Sequence, residues 1–82
     1  MKIENINTIY HTTDMACVAT LLLYVPLSSI DRTQGTKVLF GFKKSEELDR
    51  LLEAYWQSQL LVEPRAYFDS IKAVKTRLYE QI

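Results

Sequence analysis

The sequence is 82 residues long, enough for one small domain with a modest core. Hydrophobic residues make up 48% and charged residues 24%, the balance of a folded chain rather than a disordered one. Ten basic and ten acidic side chains cancel, so no global field favours nucleic acid or an anionic membrane, and any such site has to be a local patch.

A single cysteine, Cys17, excludes an internal disulfide and a multi-cysteine zinc site, and fits a reducing compartment. The longest apolar run, Met15 to Leu27, is interrupted by Thr20 and Pro26 and is too short to span a bilayer. Glu4, His11 and Asp14 precede it with no basic stretch beyond Lys2, which argues against a signal peptide. The expected address is the cytoplasm, with no membrane partner.

In chain order, residues 1–7 read as a frayed arm or a short edge strand within a single domain spanning 1–82. Thr8 to His11 is β-branched and aromatic, the composition of a short strand. Thr12, Thr13 and Asp14 then signal a helix start, with a threonine hydroxyl as N-cap and the aspartate in the first turn. That helix is expected from Asp14 to about Tyr24, burying Met15, Val18, Ala19, Leu22 and Val25 until Pro26 stops it. Leu21 and Leu23 widen its apolar surface, so it should be covered on more than one side.

Leu27 to Asp31 and Thr36 to Lys43 flank the link Arg32-Thr33-Gln34-Gly35, which reads as a hairpin because glycine accepts a positive φ. On the second strand Val38, Phe40 and Phe42 share one face, expected to meet the helices, while Lys37, Leu39, Gly41 and Lys43 share the other. Gly41 on the outer face implies a bulge or a close neighbour.

Ser45 to Gln57 carries the best-specified helix: Leu48, Leu51, Leu52 and Tyr55 recur at one-stripe spacing behind a serine cap and three acidic residues. Gln57-Ser58-Gln59 breaks it, and Leu60-Leu61-Val62 reads as a pinned extended connector. Pro64 at the first helical position opens a last helix, along which Tyr67, Ile71, Val74 and Leu78 form a stripe that continues to Tyr79. The expected fold is α+β: a small antiparallel sheet of two to three strands with helices on one face, in the order β-α-β-β-α-α.

Several stretches taken together resemble a known family. They are Tyr10-His11-Thr12-Thr13-Asp14, Val38-Leu39-Phe40-Gly41-Phe42, Leu52-Glu53-Ala54-Tyr55-Trp56, Val62-Glu63-Pro64-Arg65-Ala66-Tyr67-Phe68 and Ile71 through Tyr79. In order and spacing, from about Tyr10 to Tyr79, the chain is similar to a family of short proteins from bacteria, phages and other mobile elements, a domain of unknown function. The resemblance implies a small intracellular accessory protein, associated with mobile DNA. It carries over no catalytic residue.

Four groups of residues invite a functional reading, each beside a plainer one. Tyr55-Trp56 with Tyr67-Phe68 is the densest aromatic group and could form a pocket or a stacking platform; helical spacing alone explains Tyr55 and Tyr67 as core. Phe68, Lys72, Lys75 and Tyr79 lie along one flank of the last helix with Arg65 and Arg77 nearby, a basic and aromatic mixture suited to phosphates and bases. A solvated face complementing the helix C-terminus explains the same residues. Lys37, Lys43 and Lys44 flank Phe40 and Phe42, which in the opposite register would expose aromatics for single-stranded RNA; packing in the core is the plainer account. His11, Thr12, Thr13, Asp14 and Cys17 gather an imidazole, hydroxyls, a carboxylate and a thiol, yet one histidine and one cysteine are too few for a closed zinc site, and capping explains Thr13 and Asp14.

The expected function is therefore a small non-enzymatic interaction domain, without cofactor or metal, that binds a protein partner or self-associates. Its motivation is a surplus of apolar side chains, Leu21, Leu23, Leu39, Trp56, Leu60, Leu61 and Phe68, over what one small core readily buries. The candidate surface is Trp56, Arg65, Phe68, Lys72, Lys75 and Tyr79. The alternative is a nucleic-acid-binding accessory protein using the basic and aromatic flank of the last helix.

Overall fold

A computed structural model describes residues 8–35 and 37–80. The elements follow the expected order: β1 (Ile9–Thr12), α1 (Met15–Leu21), β2 (Ser29–Gln34), β3 (Lys37–Lys43), α2 (Glu46–Trp56) and α3 (Pro64–Tyr79). The arm or edge strand expected over 1–7 lies outside the described residues.

β3 is the central strand of a three-stranded antiparallel sheet of order β1-β3-β2. Tyr10 pairs with Phe42 and Thr12 with Phe40 on one side, and Ile30 pairs with Phe40 on the other. The alternation therefore turns Tyr10, Ile30, Val38, Phe40 and Phe42 to the helices, where all five belong to or pack against the core. Phe40 and Phe42 are buried, so the register that would expose them is excluded.

The opposite face carries Ile9, His11, Ser29, Leu39 and Gly41. A Cβ on Gly41 would fall onto the Ser29 hydroxyl and lie 2.8 Å from Ile9 Cγ2 and 3.3 Å from the His11 ring. The expected close neighbour is thus present on both adjacent strands.

Four local expectations are corrected. β1 runs one residue further, through Thr12, because Thr12 pairs with Phe40. That keeps the chain extended through Asp14 (φ −76°, ψ 106°), so Asp14 rather than a threonine is the N-cap of α1 and accepts from the Ala16 and Cys17 amides. The Thr12 hydroxyl instead accepts from the Asp14 amide at 3.1 Å. α1 also ends at Leu21, three residues short of Tyr24, as the backbone tightens: Leu23 N–H bonds to the Thr20 carbonyl and Tyr24 N–H to Leu21.

Finally, β2 starts later and runs through most of the expected hairpin link, to Gln34. Asp31 pairs with Leu39 but Gln34 with Lys37, so β2 holds one extra residue in a bulge around Arg32 and Thr33. Asp31 steadies it by accepting from the Thr33 amide at 2.9 Å. Gly35 takes the positive φ, 71°, that the turn needs.

The core sits between the sheet and α1. Cys17, Val18, Ala19, Thr20 and Leu21 are all buried, so α1 is covered on every side rather than along a stripe. Leu21, expected to contribute to an exposed surplus, is fully buried. α2, the most clearly patterned helix, buries only Leu48 completely, and α3 buries Ser70 and Val74. Amphipathic spacing thus specified α2 well because it lies at the periphery, whereas the helix at the centre has no polar face to betray it.

Both long helices are capped by their own side chains. Ser45 Oγ accepts from the Leu48 amide at 3.0 Å, and Glu63 Oε1 accepts from Ala66 at 2.7 Å ahead of Pro64. At the C-terminus of α2, Ser58 N–H bonds to the Tyr55 carbonyl and Gln59 N–H to Ala54. This is a Schellman motif with Ser58, at φ 59°, in the position usually held by glycine. Among the described residues no helix is long and apolar enough to cross a membrane.

Candidate functional site

The ends of α1 and α2 and the connector into α3 meet at one corner of the helical layer. A cleft of 520 Å³ opens there, lined by Thr20 from α1, Tyr55 and Trp56 from α2, and Ser58, Leu60 and Val62 from the connector. The reversed direction of the chain at Ser58 carries Leu60 and Val62 back across the cleft, and the Tyr24 hydroxyl pins the connector by donating to the Leu61 carbonyl at 2.7 Å. Trp56 stands edge-on to Tyr55, with ring centroids 5.2 Å apart, and remains 63% exposed. Leu61 is 83% exposed, and Leu23 and Tyr24 are also open to solvent.

Along α3, Arg65, Phe68, Lys72, Lys75 and Tyr79 are all exposed. They fall within roughly 80° of helical arc, a single basic and aromatic stripe. The Lys72 ammonium lies 4.8 Å above the Phe68 ring and 3.9 Å from the Asp69 carboxylate. Arg77, grouped with these residues on sequence, projects roughly half a turn away. Its Nε lies 3.6 Å from Glu80 instead. Of the six candidate surface residues, five therefore share one face, and Trp56 belongs to the corner cleft.

Residues 7–80 match the family described as Domain of unknown function (DUF5659). The chain belongs to this family. No curated protein and no solved structure matches it.

In this DUF5659 domain the residues around His11 do not converge. His11 is exposed on the sheet face opposite the helices, beside Gly41, while Cys17 is fully buried in the core. Burial, with the Asp14 carboxylate adding to it, raises the Cys17 thiol to about 11, so it stays protonated and unreactive near neutrality. Asp14 serves structure at both of its oxygens: Oδ1 caps α1, and Oδ2 accepts from the Tyr55 hydroxyl at 3.2 Å. Burial first, and then Asp14, pushes the Tyr55 phenol up to about 12. Among the described residues no three His, Cys, Asp or Glu side chains gather closely enough to hold a metal ion.

The corner's contribution from Tyr24 was not anticipated. Helical periodicity continues through Tyr24 in the sequence, whereas α1 ends at Leu21 and the Tyr24 side chain reaches the connector. The nearest sequence signal was Pro26, which marks a stop but not its position.

Proposed function

We propose that this protein is a non-enzymatic interaction domain that binds another protein, or a second copy of itself, through the corner between α1, α2 and the connector. One observation carries the reading: Trp56 is exposed on the rim of a cleft lined by Tyr55, Leu60 and Val62, and the exposed Leu61 of the same connector is held by the Tyr24 hydroxyl. Apolar side chains fixed in place at a surface lose little entropy on binding, and a tryptophan beside a preformed cleft is the usual anchor of a protein interface. A cytoplasmic address goes with this reading, supported by a single cysteine, Cys17, that is buried and free of any disulfide. Association with phages or other mobile elements goes with it too, supported by the family resemblance.

Light scattering at two protein concentrations, followed by capture with wild type and a Trp56→Ala/Leu61→Ser variant, tests the proposal. Self-association or a captured partner should be lost in the variant while the fold persists. Association that survives the double substitution unchanged overturns it.

A second reading is supported by the α3 stripe, which aligns Arg65, Phe68, Lys72, Lys75 and Tyr79 for a nucleic-acid backbone and its bases. Lys72 meets Asp69 and the Phe68 ring only in exposed contacts, which exchange readily. A gel shift that weakens steeply with salt, and that Lys72→Glu/Lys75→Glu abolishes, would support this alternative.

A further inference from the structure

On the other flank of α3 a second concavity runs between that helix and the segment entering β2. Its apolar end, 310 Å³, has the core residues Phe40 and Val74 as its floor, 3% and 1% exposed, and Leu22, Leu27 and Ala73 as its walls. Its other end, 180 Å³, follows Ser28 to Ile30. Leu27 and Arg77 line both, so the two ends form one groove.

Among the described residues that line it, Arg77 supplies the only charge. A second guanidinium stands close by. The β2 bulge sends Arg32 across to the last turn of α3, where it donates to the Leu78 carbonyl at 3.3 Å and to the Arg77 carbonyl. Those contacts satisfy carbonyls that would otherwise give the helix end its negative character. Glu80 meets Arg77 as an exposed pair, and such pairs are worth little and exchange readily. The site is therefore apolar at one end and cationic at the other.

We propose that this groove binds a small amphipathic carboxylate, an alkanoic or aryl acid whose apolar body lies over Phe40 and Val74 and whose carboxylate pairs with Arg77. The apolar end has the size of the smaller ligand pockets, which begin at about 300 Å³. It is independent of the corner cleft, so its failure leaves the interaction-domain reading intact.

Octanoate and its neutral counterpart octanol are the probes, titrated by calorimetry and by amide chemical shifts. Octanoate should bind saturably, with a Kd below about 1 mM, and shift the amides of Leu22, Leu27, Ala73 and Arg77. Octanol should bind about tenfold more weakly, since a charge-assisted bond is lost. Arg77→Gln should weaken octanoate by a similar factor and leave octanol unchanged, and Ala73→Phe should fill the apolar end and remove both. Equal affinity of wild type for the acid and the alcohol, octanoate binding unaffected by Arg77→Gln, shifts at other residues, or no saturation up to about 10 mM overturns the proposal. The acid-to-alcohol comparison on wild type needs no variant to fold.

Discussion

The Ser70 hydroxyl, buried in α3, donates a 2.8 Å hydrogen bond to the Ala19 carbonyl of α1, fifty-one residues away. That carbonyl is left over when the end of α1 tightens, because Leu23 N–H, its ordinary helical partner, bonds to Thr20 instead. A short helix and a long one are thus joined where a small side chain lets their backbones approach. Ser70→Ala should cost about 1–3 kcal/mol, the penalty of a buried carbonyl without a donor, measured as a lower urea midpoint at constant m-value. No change in midpoint would mean that water replaces the hydroxyl.

Ser58 offers the opposite case. It adopts a left-handed conformation, φ 59°, at the end of α2. Ser58→Gly relieves the Cβ strain and gives back part of the gain by loosening the unfolded chain. A net stabilisation of about 0.5–1 kcal/mol is expected, read as a rise of several degrees in Tm. A lower Tm would show that the serine side chain holds the corner in some other way.

At Gly41 the cross-strand neighbours leave no room for a methyl group. The Ser29 hydroxyl can rotate aside, but the stiff, β-branched Ile9 cannot readily do so. Gly41→Ala should destabilise the domain by about 1–2 kcal/mol, and adding Ile9→Ala should recover part of that loss in a double-mutant cycle. Additive costs would place the strain elsewhere.

Alkaline conditions should weaken the fold. Cys17 and Tyr55 hold their protons in the folded state to about 11 and about 12, above their ordinary values of 9.0 and 10.0, and burial raises Tyr10 as well. The unfolded chain ionises first, so stability is full below pH 9 and falls as pH rises from there toward 12. Cys17→Ala should flatten the first part of that decline. The Cys17 thiol should also react with an aromatic disulfide reagent at neutral pH only as fast as the domain opens. A flat Tm between pH 8 and 11 would contradict the assignment.

Much of this protein was decided locally. Leu48, Leu51, Leu52 and Tyr55 behind Ser45, and Tyr67 to Leu78 behind Pro64, specify α2 and α3 almost to the residue, because caps and one-sided apolar spacing act within a few turns of chain. The alternation Val38-Phe40-Phe42 determined which face of the sheet would be buried, since side chains on a strand point to opposite sides in turn. The stripe of Arg65, Phe68, Lys72, Lys75 and Tyr79 was legible for the same reason. What the tertiary structure alone decided lies where distant segments compete for the same backbone groups. Pairing with Phe40 extended β1 and moved the α1 cap to Asp14, and α1 ends early in a tightened turn, which leaves Tyr24 to the corner and the Ala19 carbonyl to Ser70. The bulge that aims Arg32 at the end of α3, and with it the cationic end of the groove, depends on a register between strands that no local pattern encodes.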